Sequence, residues 1–182
     1  MSILYTIFSI LSLLAGLCDF LFYKIPNILV LGILIFAVPL LLTVLSWDQV
    51  CFTLLVSGIM LVISFGFSMM GWIGAGDAKL LTVSTLWLAP LNIFSFVGFM
   101  ALIGGVLAII YIALSPFIDH LRLKIISLLT PLLKKSTLCS VYLKEPFVFA
   151  TAESYRQTKV PYGIAIAAAA IAISLTQLGG HL

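Results

Sequence analysis

Residues 80–115 run for 36 positions without one Asp, Glu, Lys or Arg. An unbroken apolar stretch of that length fixes the solvent. As a single straight helix it would extend about 54 Å at ~1.5 Å per residue, against a hydrocarbon core of about 30 Å. A soluble core has no place for it, and a bilayer takes it only if it folds back. The rest of the chain agrees: 63% of residues are hydrophobic, 8% are charged and the mean hydropathy is +1.30. A soluble domain carries roughly three times that charge fraction. Backbone polar groups in lipid must be satisfied within the chain, so only helices or a closed barrel can cross. The short alternating segments of a barrel are missing from this sequence. The fold class is therefore all-α, a polytopic membrane helical bundle.

Charges, Pro and Gly divide the chain into about six spans: 2–22, 28–46, 50–70, 78–89, 93–115 and 161–178. The fold-back in 80–115 falls at Ala89-Pro90-Leu91-Asn92, where Pro and Asn favour a turn, so the fourth helix is short. Residues 1–182 read as a single integral membrane domain with one long loop, 116–160. The N-terminus has no Lys or Arg ahead of its apolar run and no small-residue cleavage pattern, and is read as a retained first span. Cys18, Cys51 and Cys139 form no CxxC and no disulfide or zinc framework.

The basic residues test this topology. Lys24, Lys79, Arg122, Lys124, Lys134, Lys135, Lys144, Arg156 and Lys159 are all 9 of the chain's Lys and Arg. In a six-span arrangement every one falls in the loops and turns after spans one, three and five, with Lys79 closing the Gly71–Lys79 turn at the start of the fourth helix. The positive-inside rule then puts those loops in the cytoplasm and both termini outside. Within the long loop, 117–129 is amphipathic. Phe117, Leu121, Ile125 and Leu128 share one face, and Asp119, His120, Arg122, Lys124 and Ser127 lie mostly off it. It reads as a helix in the cytoplasmic interface, drawn to anionic headgroups.

Two acids stand apart from this solvated set. Asp19 lies one turn inside the end of span one, just before Lys24-Ile25-Pro26-Asn27. Asp77 follows Gly74-Ala75-Gly76, where an apolar helix meets a Gly-rich turn. Carboxylates near lipid are costly and need a reason. The topology places both on one membrane face at similar depth. If they are close, they cannot both ionise easily and would share a proton. One could then activate a water while the other, protonated, polarises a peptide carbonyl. Gly74 and Gly76 permit approaches a Cβ would block, including that of a substrate peptide. Pro26 breaks the chain near Asp19, and Asn27 can cap span two. Two blander readings stay open. Each Asp can cap a helix, or pair with a nearby lysine, Asp19 with Lys24 and Asp77 with Lys79. An ion pathway is another use for intramembrane acids, although transport sites usually lie near the midplane.

Three landmarks together resemble the prepilin peptidases, membrane GxGD aspartic proteases of the type IV leader peptidase family, in their short Flp or tight-adherence form. They are Asp19 with Lys24-Ile25-Pro26-Asn27, then Gly74-Ala75-Gly76-Asp77-Ala78-Lys79-Leu80, then Val160-Pro161-Tyr162-Gly163-Ile164-Ala165. The resemblance implies that Asp19 and Asp77 are catalytic. It makes Gly74, Gly76, Lys79, Lys24, Pro26, Asn27, Pro161, Tyr162 and Gly163 supporting motif residues. It implies an enzyme of the bacterial inner membrane that removes leader peptides from prepilins or prepseudopilins at the cytoplasmic face. The expected partners are that substrate and membrane lipids, with no nucleic acid, no cofactor and no metal. The large members' Cys-rich domain is missing from this sequence, so neither zinc nor methyl transfer is carried over. The competing functions are a small proton- or ion-coupled transporter and a non-catalytic assembly partner of a pilus or secretion system.

Overall fold

The computed structural model describes residues 2–134 and 160–179. Among these every regular element is a helix. We label them α1 (Ser2–Phe22), α2 (Asn27–Thr43), α3 (Trp47–Met69), α4 (Ala75–Lys134) and α5 (Tyr162–Gly179). Three stretches are long and apolar enough to cross a membrane: Ile3–Phe22, Trp47–Met69 and Ile93–Leu114. Asn27–Thr43 and Tyr162–Thr176 are shorter apolar helices. This is the make-up of a membrane helical bundle. Expected and observed helix limits differ by three residues or fewer for the first three and the last.

Each boundary has a local cause. Helix α1 stops at Phe22 because Tyr23 takes a left-handed backbone, φ 49°, and its amide donates to the Asp19 carbonyl at 2.9 Å. Helix α2 starts behind Pro26, whose φ of −62° is preset by its ring. Asn27 is the first residue inside α2, and its side chain does not cap the helix. At the start of α3 the Ser46 amide donates to Gln49 Oε1 at 3.1 Å, half of a capping box. Gly71, φ +78°, turns the chain after α3.

The chain divides into two compact units, 1–107 with 161–182, and 108–160. The first holds the core. Its stripe on α1 is Tyr5, Phe8, Ser12, Ala15 and Asp19, all buried. A spacing of three and four residues keeps them on one helix face. Nearly every residue of α4 from Leu80 to Leu88 is buried too, so this short segment is central. Trp87 anchors it. The indole stacks on Phe8 at 4.7 Å and donates Nε1–H to the Ile33 carbonyl at 3.1 Å. Ser57 and Thr85 hydroxyls meet at 2.9 Å between α3 and α4. The outer sides of α1–α3 carry exposed Leu, Ile, Val and Phe, the surface lipid requires.

One expectation needs correction. No non-helical loop separates a fourth from a fifth helix, because helical backbone continues from Ala75 to Lys134. The chain nevertheless folds back. The amide of Gly163 lies within hydrogen-bonding influence of Asp77. A Cβ built on Gly104 would sit 3.3 Å from the neighbouring Tyr162 ring. A straight helix would hold residues 77 and 104 about 40 Å apart. The reversal therefore occurs inside the helical run, with Pro90, which cannot donate an amide hydrogen bond, midway.

In the second unit, helical residues 108–134 bury Tyr111, Arg122 and Ile126. Phe117, Leu121 and Leu128 are exposed. The polar-face position expected for Arg122 is thus corrected, since its side chain is buried. The remainder of the expected loop, 135–159, lies outside the described residues, as does Cys139.

Candidate active site

Helix α5 begins at Tyr162, behind a fully buried Pro161. Its first amides have no partner within the helix, as at any helix start. One of them finds a carboxylate 144 positions away in sequence: Gly163 N–H donates to Asp19 Oδ2 at 2.8 Å. This is an anion at a helix N-terminus, where unpaired amides and the helix dipole both attract negative charge. Asp19 itself is only 4% exposed. The approach demands glycine. A Cβ at position 163 would lie 2.7 Å from Asp19 Oδ2 and 2.9 Å from Asp19 Cβ. Close packing between α1 and α5 continues one turn on, where a Cβ at Gly16 would meet Ala167 Cβ at 2.8 Å.

Asp77 is the third residue of α4 and also 7% exposed. Its two oxygens have different surroundings. Oδ2 accepts the Gly74 amide at 3.2 Å, so the capping alternative is realised on that oxygen. Oδ1 is buried with no hydrogen-bond partner among the described residues. Asp77 precedes the apolar run that begins at Ala78, outside the spanning segments. Burial pushes its carboxyl up to about 6, while the amides of Gly74 and Gly163 pull the other way. A proton on Oδ1 or a polar group brought by a substrate would serve the unpaired oxygen.

The Gly163 amide thus donates to Asp19 and lies close enough to Asp77 to lower its carboxyl as well. The head of α5 is therefore next to both carboxylates.

The supporting residues arrange around this pair. Lys79 Nζ donates to Asn27 Oδ1 at 3.1 Å, not to Asp77. That bond ties the start of α4 to the start of α2. Gly76 provides the close approach the sequence suggested, but to another part of the protein: its Cβ would lie 3.3 Å from Ile25 Cβ. Buried Ile25 wedges the Ile-Pro-Asn turn against α4. Gly74 is exposed, and a Cβ there would come within 3.0 Å of Asp77 Oδ2. Lys24 is exposed, Pro26 and Tyr162 are half-buried, and the Tyr162 ring packs on Gly104. Gly104 carried no chemical signal in the sequence, and only the reversal of α4 brings it here.

A family model described as the type IV leader peptidase family matches residues 6–109, more than half of the 182. The chain belongs to the type IV leader peptidase family. The match contains Asp19, Lys24–Asn27 and Gly74–Lys79. It ends before Pro161–Gly163, which join this family's matched segment through the fold alone. No curated protein and no solved structure matches the chain. Family membership makes the protein a membrane protease.

Proposed function

We propose that this membrane leader peptidase is an aspartic endopeptidase whose dyad is Asp19 and Asp77. The observation that supports this reading is the position of the Gly163 amide, which donates to Asp19 and is near enough to Asp77 to lower its carboxyl. In the reaction, one carboxylate takes a proton from water as it attacks the peptide carbonyl. The other, protonated, donates to the carbonyl oxygen. Asp77 suits the protonated role, because its Oδ1 is buried without a partner and its carboxyl is pushed up to about 6. Gly163 and Gly74 hold the two carboxylates, and exposed Gly74 leaves backbone space for a peptide. Lys79 and Asn27 fix the approach of α4 to α2, with Lys24, Pro26, Gly76, Pro161 and Tyr162 shaping the surrounding turns.

The substrate in this proposal is a type IV or Flp-type prepilin or prepseudopilin, cut at the cytoplasmic face of the bacterial inner membrane. Support comes from the family and from the charge count. All nine Lys and Arg fall on the side of Asp19 and Asp77 when residues 1–182, read as one peptidase domain, cross six times. The test is co-expression with candidate prepilins. Asp19→Asn and Asp77→Asn should each abolish the size shift of the pilin while the variant still inserts. Processing at the normal rate by either one would remove that residue from the dyad. Cleavage by the native protein should persist in chelator.

A further inference from the structure

Two buried hydroxyls play no part in the site. Ser12 on α1 and Ser84 on α4 are each 0% exposed, and neither Oγ has a hydrogen-bond partner among the described residues. Ser12 lies midway along the apolar stretch Ile3–Phe22. An unpaired hydroxyl at that depth costs free energy that nothing apolar returns. Several other buried hydroxyls are paired: Ser57 with Thr85, Ser64 with the Ala78 carbonyl, Ser174 with the Ala170 carbonyl. Thr53 on α3 is fully buried and, like the two serines, has an Oγ1 without a partner among the described residues.

Counting along the helices puts the two serines at one level. At one level, Phe8 of α1 stacks on Trp87 of α4 at 4.7 Å. At another, Asp19 accepts the Gly163 amide and Asp77 lies near it. Between these ties, eleven positions of α1 and ten of α4 climb the same height in opposite directions. Ser12 is seven positions from Asp19, and Ser84 is seven positions from Asp77. Seven residues make almost two full turns, about 10 Å of rise. Each serine therefore lies on its aspartate's face, and both lie at one level. Helix α5 packs closely on α1 along this face, from Gly163 at Asp19 to Ala167 at Gly16, and Ala170, one turn further along α5, is fully buried.

We propose that Ser12 and Ser84 bind a single water molecule, which bridges α1 to α4 two turns beneath the aspartates. A buried water needs two to four polar partners. Two hydroxyls supply two, each able to donate or accept, and the helix carbonyl one turn before either serine can supply a third. The bridge links the two helices that carry Asp19 and Asp77 and resists sliding of one along the other. It is independent of which peptide is cut.

The test uses the full chain in detergent or nanodisc. An experimental map at about 2 Å, fine enough to show ordered water, should place one water within hydrogen-bond distance of both Oγ atoms. A direct Oγ–Oγ hydrogen bond, or no water there while waters elsewhere in the bundle are ordered, would overturn the site. Thermal midpoints provide a second measure. Ser12→Ala and Ser84→Ala should each lower the midpoint, since each strands the other hydroxyl. Ser12→Ala/Ser84→Ala together should lower it by less than the two single shifts combined, because no stranded hydroxyl remains. Additive shifts would mean that the serines share nothing.

Discussion

Asp19 and Asp77 are held in opposite ways. Asp77 is held locally: its Oδ2 takes the Gly74 amide three residues before it, and the helix it starts is its own. Asp19 is held at a distance: its Oδ2 takes the amide of Gly163 at the head of another helix. The local clamp is an end-of-side-chain contact that can adjust. The distant one is a backbone-to-side-chain fit with no free space, since a Cβ at Gly163 would strike Asp19 from Cβ outward. A site assembled in this way has one adaptable arm and one rigid arm. The rigid arm depends on how two helices distant in sequence, α1 and α5, pack.

The largest expected effect removes the comparison altogether. Asp19→Asn and Asp77→Asn should each reduce pilin processing to background, measured as the size shift on co-expression. If only one did so, the arms would not be equal partners in chemistry. Next in size, Gly163→Ala should reduce processing by at least about tenfold, the equivalent of ~1.4 kcal/mol in the barrier. Gly74→Ala should cost clearly less, because the contacting atom, Asp77 Oδ2, is the free end of a side chain. A reversal of that order in initial-rate assays would refute the rigid-arm account.

A third test separates the arms by pH. Burial raises the folded-state carboxyl of Asp77 to about 6, above the ordinary value near 4 for an unfolded chain. The folded protein then holds a proton on Asp77 that the unfolded one has lost between those values. This contribution to stability is fully present below about 4 and is lost as pH rises through about 6. The thermal midpoint of the native protein should carry a downward component from pH 4 to pH 6, and Asp77→Asn should flatten it. An unchanged slope would place Asp77 in water. The smallest effect belongs to the exposed Lys79–Asn27 bond. Exposed polar contacts contribute little to stability, so Lys79→Met should shift the midpoint by no more than about a degree or two, the scale of a few tenths of a kcal/mol. A modest loss of processing rate would show that tying α4 to α2 helps position Asp77.

Much of this was legible in the chain because lipid imposes simple rules. A 36-residue uncharged run had to be helical and had to reverse. Asp77 beside two glycines could be read locally, including its cap. Other features were not legible. The reversal within α4 has no loop to announce it, since Pro90 can sit in a helical run whose direction is settled by packing on either side. Arg122 was assigned to a polar face by helical period, yet it is buried, and periodicity alone does not say what a face packs against. Gly76 was read as room for a substrate, but that room is taken by Ile25.

Sequence by itself determined the class and the membrane setting, and singled out the two acids and the glycines beside Asp77 as candidates, because hydrophobicity, charge placement and glycine's conformational freedom act within a few residues. Tertiary structure decided what holds Asp19. Asp19 and Gly163 stand 144 positions apart, and only the packing of α1 against α5, with no side chain at 163 to keep them apart, turns an isolated carboxylate and an unpaired helix amide into half of a site.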